Sequence, residues 1–375
     1  MIDFRYHLVS LISVFLALAV GIALGAGPLK ETIGDSLTGQ VSQLREEKDA
    51  LRVDLDDAAA EAQWTESALD AASDDLIGGI LGDRRVALIQ VGAVSDQVRN
   101  GVVDRLEQAG GTVTGTVQVT EAWTDPEQQT FRQSLAGTLL DYLDPVPGAQ
   151  SGSELAEALA QSLTASEPAD PDVRSERAGI LLDLLREGGL VATTADITAP
   201  ADLVVVLAGP VLDARTAQVE AQAGSTAAPE LVEQSSQQRA ELEAALTRIG
   251  LAAQARSGGA VVVSGAPVEQ NVLLPLRRVT GFARTVSTVD SAETTAGRIA
   301  VPMALAARVE GGAGHFGRGP QVDAPLPARV ELAPVVRVTE LDPDLTADPG
   351  GDVTPTPGAD STEAPAEESN EDGQG

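Results

Sequence analysis

The chain carries two histidines, His7 and His315, and no cysteine. Thiolate nucleophiles, thiolate metal sites and disulfides are therefore outside its chemistry. Any serine triad would have to use His315 as its sole base, because His7 lies beside an apolar segment at the amino terminus. Ser264 ends the strand-like run in VVVSGAP but lacks the glycine two positions earlier that a nucleophile elbow needs. It reads as a turn serine, favoured there by local hydrogen bonding of its hydroxyl. Gly312, Gly314 and Gly317 form a GxGxxG that follows a helical stretch instead of a strand, which rules it out as a nucleotide loop. The first apolar run passes into Gly92, Ala93, Val94 and Ser95, which is neither a dinucleotide fingerprint nor a P-loop.

Two residues remain as metal candidates. Asp290 follows TVSTV and has two roles open, as a cation ligand or, with Ser291, as a cap for the next helix. His315 lies in EGGAGHFGRGP beside Phe316 and Arg318. Such a run either lets backbone approach a ligand or serves as a flexible connector. A soft-metal centre is disfavoured, since Met303 is the sole internal methionine and the histidines are remote from each other. No resident cofactor is expected.

The elements that would position these residues alternate. RVALIQVG, from Arg85 to Gly92, is continuously apolar between charge and glycine, the pattern of a strand buried on both faces. A helix over about 96–109 and a Val- and Thr-rich strand over 112–120 complete a right-handed βαβ unit. Helices are predicted over 127–143, 153–165 and 173–186, with breaks at Pro145, Pro147, Pro168 and Pro171, and this insertion is expected to cap the sheet. Strands follow at 190–193, 202–209, 258–265 and 285–289, separated by helices at 229–255, 272–278 and 294–309. The fold class is thus α/β, a doubly wound, mostly parallel, Rossmann-like sheet over residues 84–341.

Ahead of this body stand two further units. Residues 8–27, LVSLISVFLALAVGIALGAG, carry no formal charge and would span roughly 30 Å as a helix, the thickness of a bilayer core. Cleavage as a secretory signal at the small residues Ala23, Gly25 and Gly27 is the competing reading. The length of the segment favours a transmembrane anchor, with residues 1–7 as a short cytoplasmic tail and the body outside. Ala17, Gly21 and Gly25 form a small-xxx-small stripe for helix packing in the membrane. Residues 35–77 read as a coiled-coil stalk whose seam includes Leu37, Val41, Leu44, Leu51, Leu55, Leu69 and Leu76, with Lys48 among them. A homo-oligomer through that stalk is expected. One long amphipathic helix folding back on the body is the alternative.

The net charge of −31 and pI near 4.2 exclude a nucleic-acid footprint, which requires a basic stripe. Residues 342–375 are acidic, rich in proline and poor in large apolar side chains, so that segment is expected to be disordered.

The opening MIDFRYHLVSLISVFLALAVGIALGAGPL, the heptads after it, RVALIQVG, GGAVVVSG and the late GHFGRG followed by Pro325, Leu326 and Pro327 together resemble the actinobacterial copper transport protein B family. The likeness runs over residues 1–332, and its N-terminal block is the most specific part. It implies an envelope protein with an uncleaved anchor, associated with copper efflux across the outer membrane and described as pore-forming, with copper as cargo. It carries over no liganding residue. The strands are continuously apolar and separated by helices, unlike the alternating strands of an outer-membrane barrel. The expected function is non-enzymatic copper export or tolerance. The rivals are an anchored coiled-coil scaffold that binds envelope partners and, on fold analogy alone, a hydrolase or nucleotide-binding enzyme at the sheet edge.

Overall fold

The computed structural model describes residues 4–26, 28–147, 151–210, 229–265, 272–335 and 337. Its centre is a sheet of seven strands among the described residues, in the order β5-β2-β1-β6-β7-β8-β9. These are β1 (Arg85–Val91), β2 (Thr112–Val119), β5 (Val191–Thr193), β6 (Leu203–Ala208), β7 (Gly259–Ser264), β8 (Ser287–Val289) and β9 (His315–Phe316). All neighbours are parallel except β5, which runs antiparallel to β2 at one edge. Every residue of β6 and β7 is buried, and in β1 only Arg85 is not. Such strands need cover on both faces.

Alternation of side chains along the strands divides the core in two. Ala87, Ile89, Val204, Val206 and Val262 face α5 (Gln129–Leu139), α6 (Glu154–Thr164), α7 (Glu176–Glu187), α8 (Pro229–Arg256), α9 (Leu273–Arg278) and α10 (Thr280–Ala283). Val86, Leu88, Val205, Leu207 and Val263 face α3 (Ser73–Ile77), α4 (Asp96–Gln108) and α11 (Thr295–Val309). Helix starts follow their caps: Ser95, Ser175 and Thr294 accept from the amides of Val98, Ala178 and Gly297.

Three details differ from the sequence reading. The helices expected over 127–143 and 173–186 are shorter, and β3 (Ser166–Glu167) with β4 (Asp170–Arg174) forms a small hairpin where a break was expected. Pro168 and Ala169 make its turn between the paired Glu167 and Asp170, so a residue that ends a helix here also starts a hairpin. Capping of α11 falls to Thr294 and not to Asp290 or Ser291. The glycine-rich run holding His315, for which a flexible connector was one reading, supplies β9 and pairs Thr288 with His315 and Val289 with Phe316.

The amino-terminal part is helical throughout its described length. In α1 (Phe4–Ala26), Phe4 to Ala23 is long and apolar enough to cross a membrane, and none of it is buried in the molecule. Nothing lies within 4 Å of a Cβ placed on Gly21 or Gly25. After it, α2 (Pro28–Ala71) runs for 44 residues, about 65 Å at the α-helical rise. Leu37, Val41, Leu44, Leu51 and Leu55 on it are exposed. Near its end the surroundings change, because Leu69, and then Leu76 on α3, pack against the α4–α11 side of the core. Glu66 Oε2 accepts from the Thr295 amide at 2.8 Å, Arg105 pairs with Asp70, and Gln108 donates to Ser73 at 2.9 Å. The acidic tail assigned to 342–375 lies outside the described residues.

This junction generates a prediction. Replacing Glu66 with Ala removes a charge-assisted bond at the positive end of α11 and costs about 1 kcal/mol. Hydrogen exchange should rise over residues 66–71 while β1 and β6 keep their protection; unchanged exchange there would show that the contact carries no weight.

Candidate functional site

Asp290, just past the carboxyl end of β8, and His315, the first residue of β9, are linked through Thr288 and a third residue that sequence reasoning missed. That residue is Arg277 on α9, its side chain 1% exposed against 0% for Asp290. Arg277 Nη1 donates to Asp290 Oδ2 at 3.1 Å and to the Pro320 carbonyl at 3.0 Å, and Nε donates to Thr288 Oγ1 at 2.9 Å. Asp290 Oδ1 accepts from Ser291 Oγ at 2.9 Å and from the Arg318 amide at 2.7 Å, while the Gly319 amide reaches both oxygens. The carboxylate is thus enclosed by donors from α9, from the residue beside it and from the chain after β9.

That enclosure explains the glycines of GHFGRG. A Cβ on Gly317, whose φ is +128°, would fall 1.9 Å from Asp290 Oδ1, and one on Gly319 would fall 2.6 Å from Oδ2. Only backbone without side chains can wrap a carboxylate this closely. Ser291 takes a positive φ of 62° beside it, in a position where a Cβ on Gly297 would lie 2.1 Å from its carbonyl oxygen. The only sequence signal for Arg277 was its place on the same helical face as Leu273 and Leu276, both buried.

Hydrogen bonding and burial both bear on His315. Thr288 Oγ1 accepts from Arg277 Nε and lies within hydrogen-bond distance of His315 Nδ1, 3.0 Å away, so the hydroxyl links the guanidinium to the imidazole. Burial, then the neighbouring Arg277 cation, lower the His315 pKa; Asp323 and a bond to the Ala283 backbone oppose them. For Arg277 burial lowers the pKa and Asp290 opposes it. Asp290 thus accepts from several protein donors, and His315 Nδ1 lies against the Thr288 hydroxyl. Among the described residues no group of three or more His, Asp or Glu is arranged to hold a metal ion.

The usual ligand crevice of a doubly wound sheet lies between β1 and β6, where strand order reverses. Here the two loops touch: Gly209 donates to the Val91 carbonyl at 2.8 Å, and a Cβ on Gly209 would lie 2.7 Å from the Ala93 nitrogen. Open space is displaced toward β2, into a cleft of about 620 Å³ lined by Gln118, Thr120, Glu121, Asp125, Gln238 and Arg239 among others. Ser264 is fully buried at the end of β7, remote from any surface a substrate could reach.

A family profile described as "Copper transport outer membrane protein, MctB" matches residues 1–327, from α1 to the segment beyond Asp323. The chain belongs to the MctB family. Curated relatives named copper transporter MctB from Mycobacterium tuberculosis and Mycobacterium bovis are each 29% identical over 337 residues, covering 85% of this chain and 97% of theirs. The Mycobacterium leprae protein of that name is 29% identical over 342 residues. MctB membership thus places the chain in a membrane-associated copper transport family, one described by transport and not by catalysis. The matched range of this MctB-family chain contains the whole Arg277–Asp290–His315 cluster.

Two outcomes follow from the cluster. Asp290→Asn leaves Arg277 charged and buried without a counter-charge, so unfolding free energy should fall by about 3–5 kcal/mol, measured by denaturant titration of the full chain. His315 is held neutral below the ordinary value near 6.5, so the unfolded chain binds the extra proton first as pH drops. Its contribution is complete above pH ~6.5 and is lost as pH falls through that value toward its lower native pKa. Stability of wild type should therefore decline from pH ~7.5 to 5, and His315→Gln should flatten the decline; parallel curves would refute the assignment.

Proposed function

We propose that this chain is a non-catalytic, single-pass envelope protein that takes part in moving copper out of the cell. The observation that carries the reading is the family match, which begins at residue 1 and includes both the apolar helix and the body. In this reading α1 is the uncleaved anchor, the seven residues before the apolar segment stay in the cytoplasm, and the α/β body stands outside it, associated with the outer membrane. The exposed face of α2 supports self-association through the stalk. A pore would need several copies, because one α1 encloses no path and the sheet is filled on both faces.

The chemistry of the body fits a structural part in export better than a tight copper site. Asp290 and His315 are engaged by Arg277 and Thr288, and the chain has no thiolate to offer a soft cation. Its net charge of −31 raises the local concentration of cations without fixing them. The same facts support a second reading, an anchored scaffold that positions partners and transports nothing itself.

Deletion of the gene separates the two. Copper export predicts higher cellular copper and greater copper sensitivity, both reversed when the gene is restored. Unchanged copper with altered recovery of envelope partners would transfer the role to scaffolding.

A further inference from the structure

The exposed stripe on α2 has an internal order that names its occupant. From Leu37 to Ala58 the spacing alternates four and three, which puts Val41, Lys48 and Leu55 at the a positions and Leu37, Leu44, Leu51 and Ala58 at d. Val41 at a with leucine at d suits two parallel strands, while Leu55 at a and Ala58 at d do not by themselves select a number. Lys48 reinforces that number, since the seam of a pair lets a long cationic side chain reach solvent, whereas a wider bundle encloses it. The flanking positions are complementary in a parallel, in-register pair: Glu47 at g of one copy lies opposite Arg52 at e of the other, twice by symmetry, and Gln40 lies opposite Arg45. Among the described residues Glu47 accepts from Gln43 at 3.0 Å, an exposed contact it can exchange.

The structure also says where such pairing must stop. The next seam residues are Ala62 and Thr65, which bury little, and a continued register would set Glu61 against Glu66. Glu66 is already bonded to the Thr295 amide, and Leu69, the following a residue, is packed into the chain's own core. Each body thus claims the last turns of its own helix. Parallel orientation has a separate support, because α1 directly precedes α2 and two copies inserted alike in one membrane bring their α2 helices out side by side.

We propose that two copies of this chain pair as a parallel coiled coil through Leu37 to Ala58, about 30 Å of seam, and diverge beyond it so that each body remains separate. The proposal rests on the self-association reading above and adds number, direction, register and end point.

The absence of native cysteine makes the test direct. In the full-length chain in membranes, Leu44→Cys and Leu51→Cys, on the seam, should give covalent dimers with diamide. Asp57→Cys, on the outer side, should give few, and no larger species should form. Detergent-solubilised wild type should have twice the 38.5 kDa chain mass. Glu47→Arg should weaken dimer formation several-fold by facing Arg52, and the double variant E47R/R52E should restore it. Cross-linking as strong at Asp57 as at Leu51 overturns the register, and three or more chains per particle overturns the number. A dimer without seam cross-links leaves self-association standing and removes this interface. A monomer removes both, and none of these results bears on cellular copper.

Discussion

Three adjacent strands with no polar face, β1, β6 and β7, impose the constraint from which the body follows. A sheet buried on both sides must be covered on both sides, and parallel neighbours require a crossover between each pair, so the helices are both connection and cover. The two halves of the core are unequal in kind. One face carries the inserted helices α5 to α7 together with α8, while the other is closed by α4, α11 and the end of the stalk. The end of α2 is for that reason part of the body's core, while Leu37, Val41, Leu44, Leu51 and Leu55 earlier in the same helix are exposed.

At the carboxyl edge the fold departs from what its class usually offers. The loops after β1 and β6 meet backbone to backbone, so the crevice that serves many α/β proteins as a binding site is narrowed to contact. Further along the same edge the most buried ion pair among the described residues, Arg277 with Asp290, neutralises itself. Asp290 receives donors from α9, Ser291 and the segment after β9, which ties the last strand of the sheet to its neighbours. A buried pair of this kind is weak evidence for overall stability, because removing the charges from water opposes their attraction. Its effect is to fix which segment lies on the sheet's final edge.

Periodicity made most of this legible. The continuous apolar runs at 85–92, 202–209 and 258–265 marked the central strands to within a residue or two, since nothing but a two-sided burial explains Val and Leu in unbroken succession. Short elements were another matter. Two-residue strands such as β9 have no period to read, and Gly317 and Gly319 obey a partner 27 and 29 residues earlier, Asp290, whose closeness no local pattern encodes. Arg277 was hidden for a similar reason, as a cation on an otherwise apolar face whose counter-charge lies on another element. The stalk's heptads were visible, but the change of surroundings at Glu66 and Leu69 depends on a helix, α11, that comes more than 200 residues later.

The seating of the stalk on the first turn of α11 has a mechanical meaning. A pull along α2 enters the molecule at Glu66, Leu69 and Asp70, then passes through α11 and α4 to strands β7, β8 and β1 in the interior of the sheet. α11 touches the interior strands β7 and β8 as well as the edge strand β9, so the load is not delivered to the edge alone. The load is spread across packed helices and several strands at once.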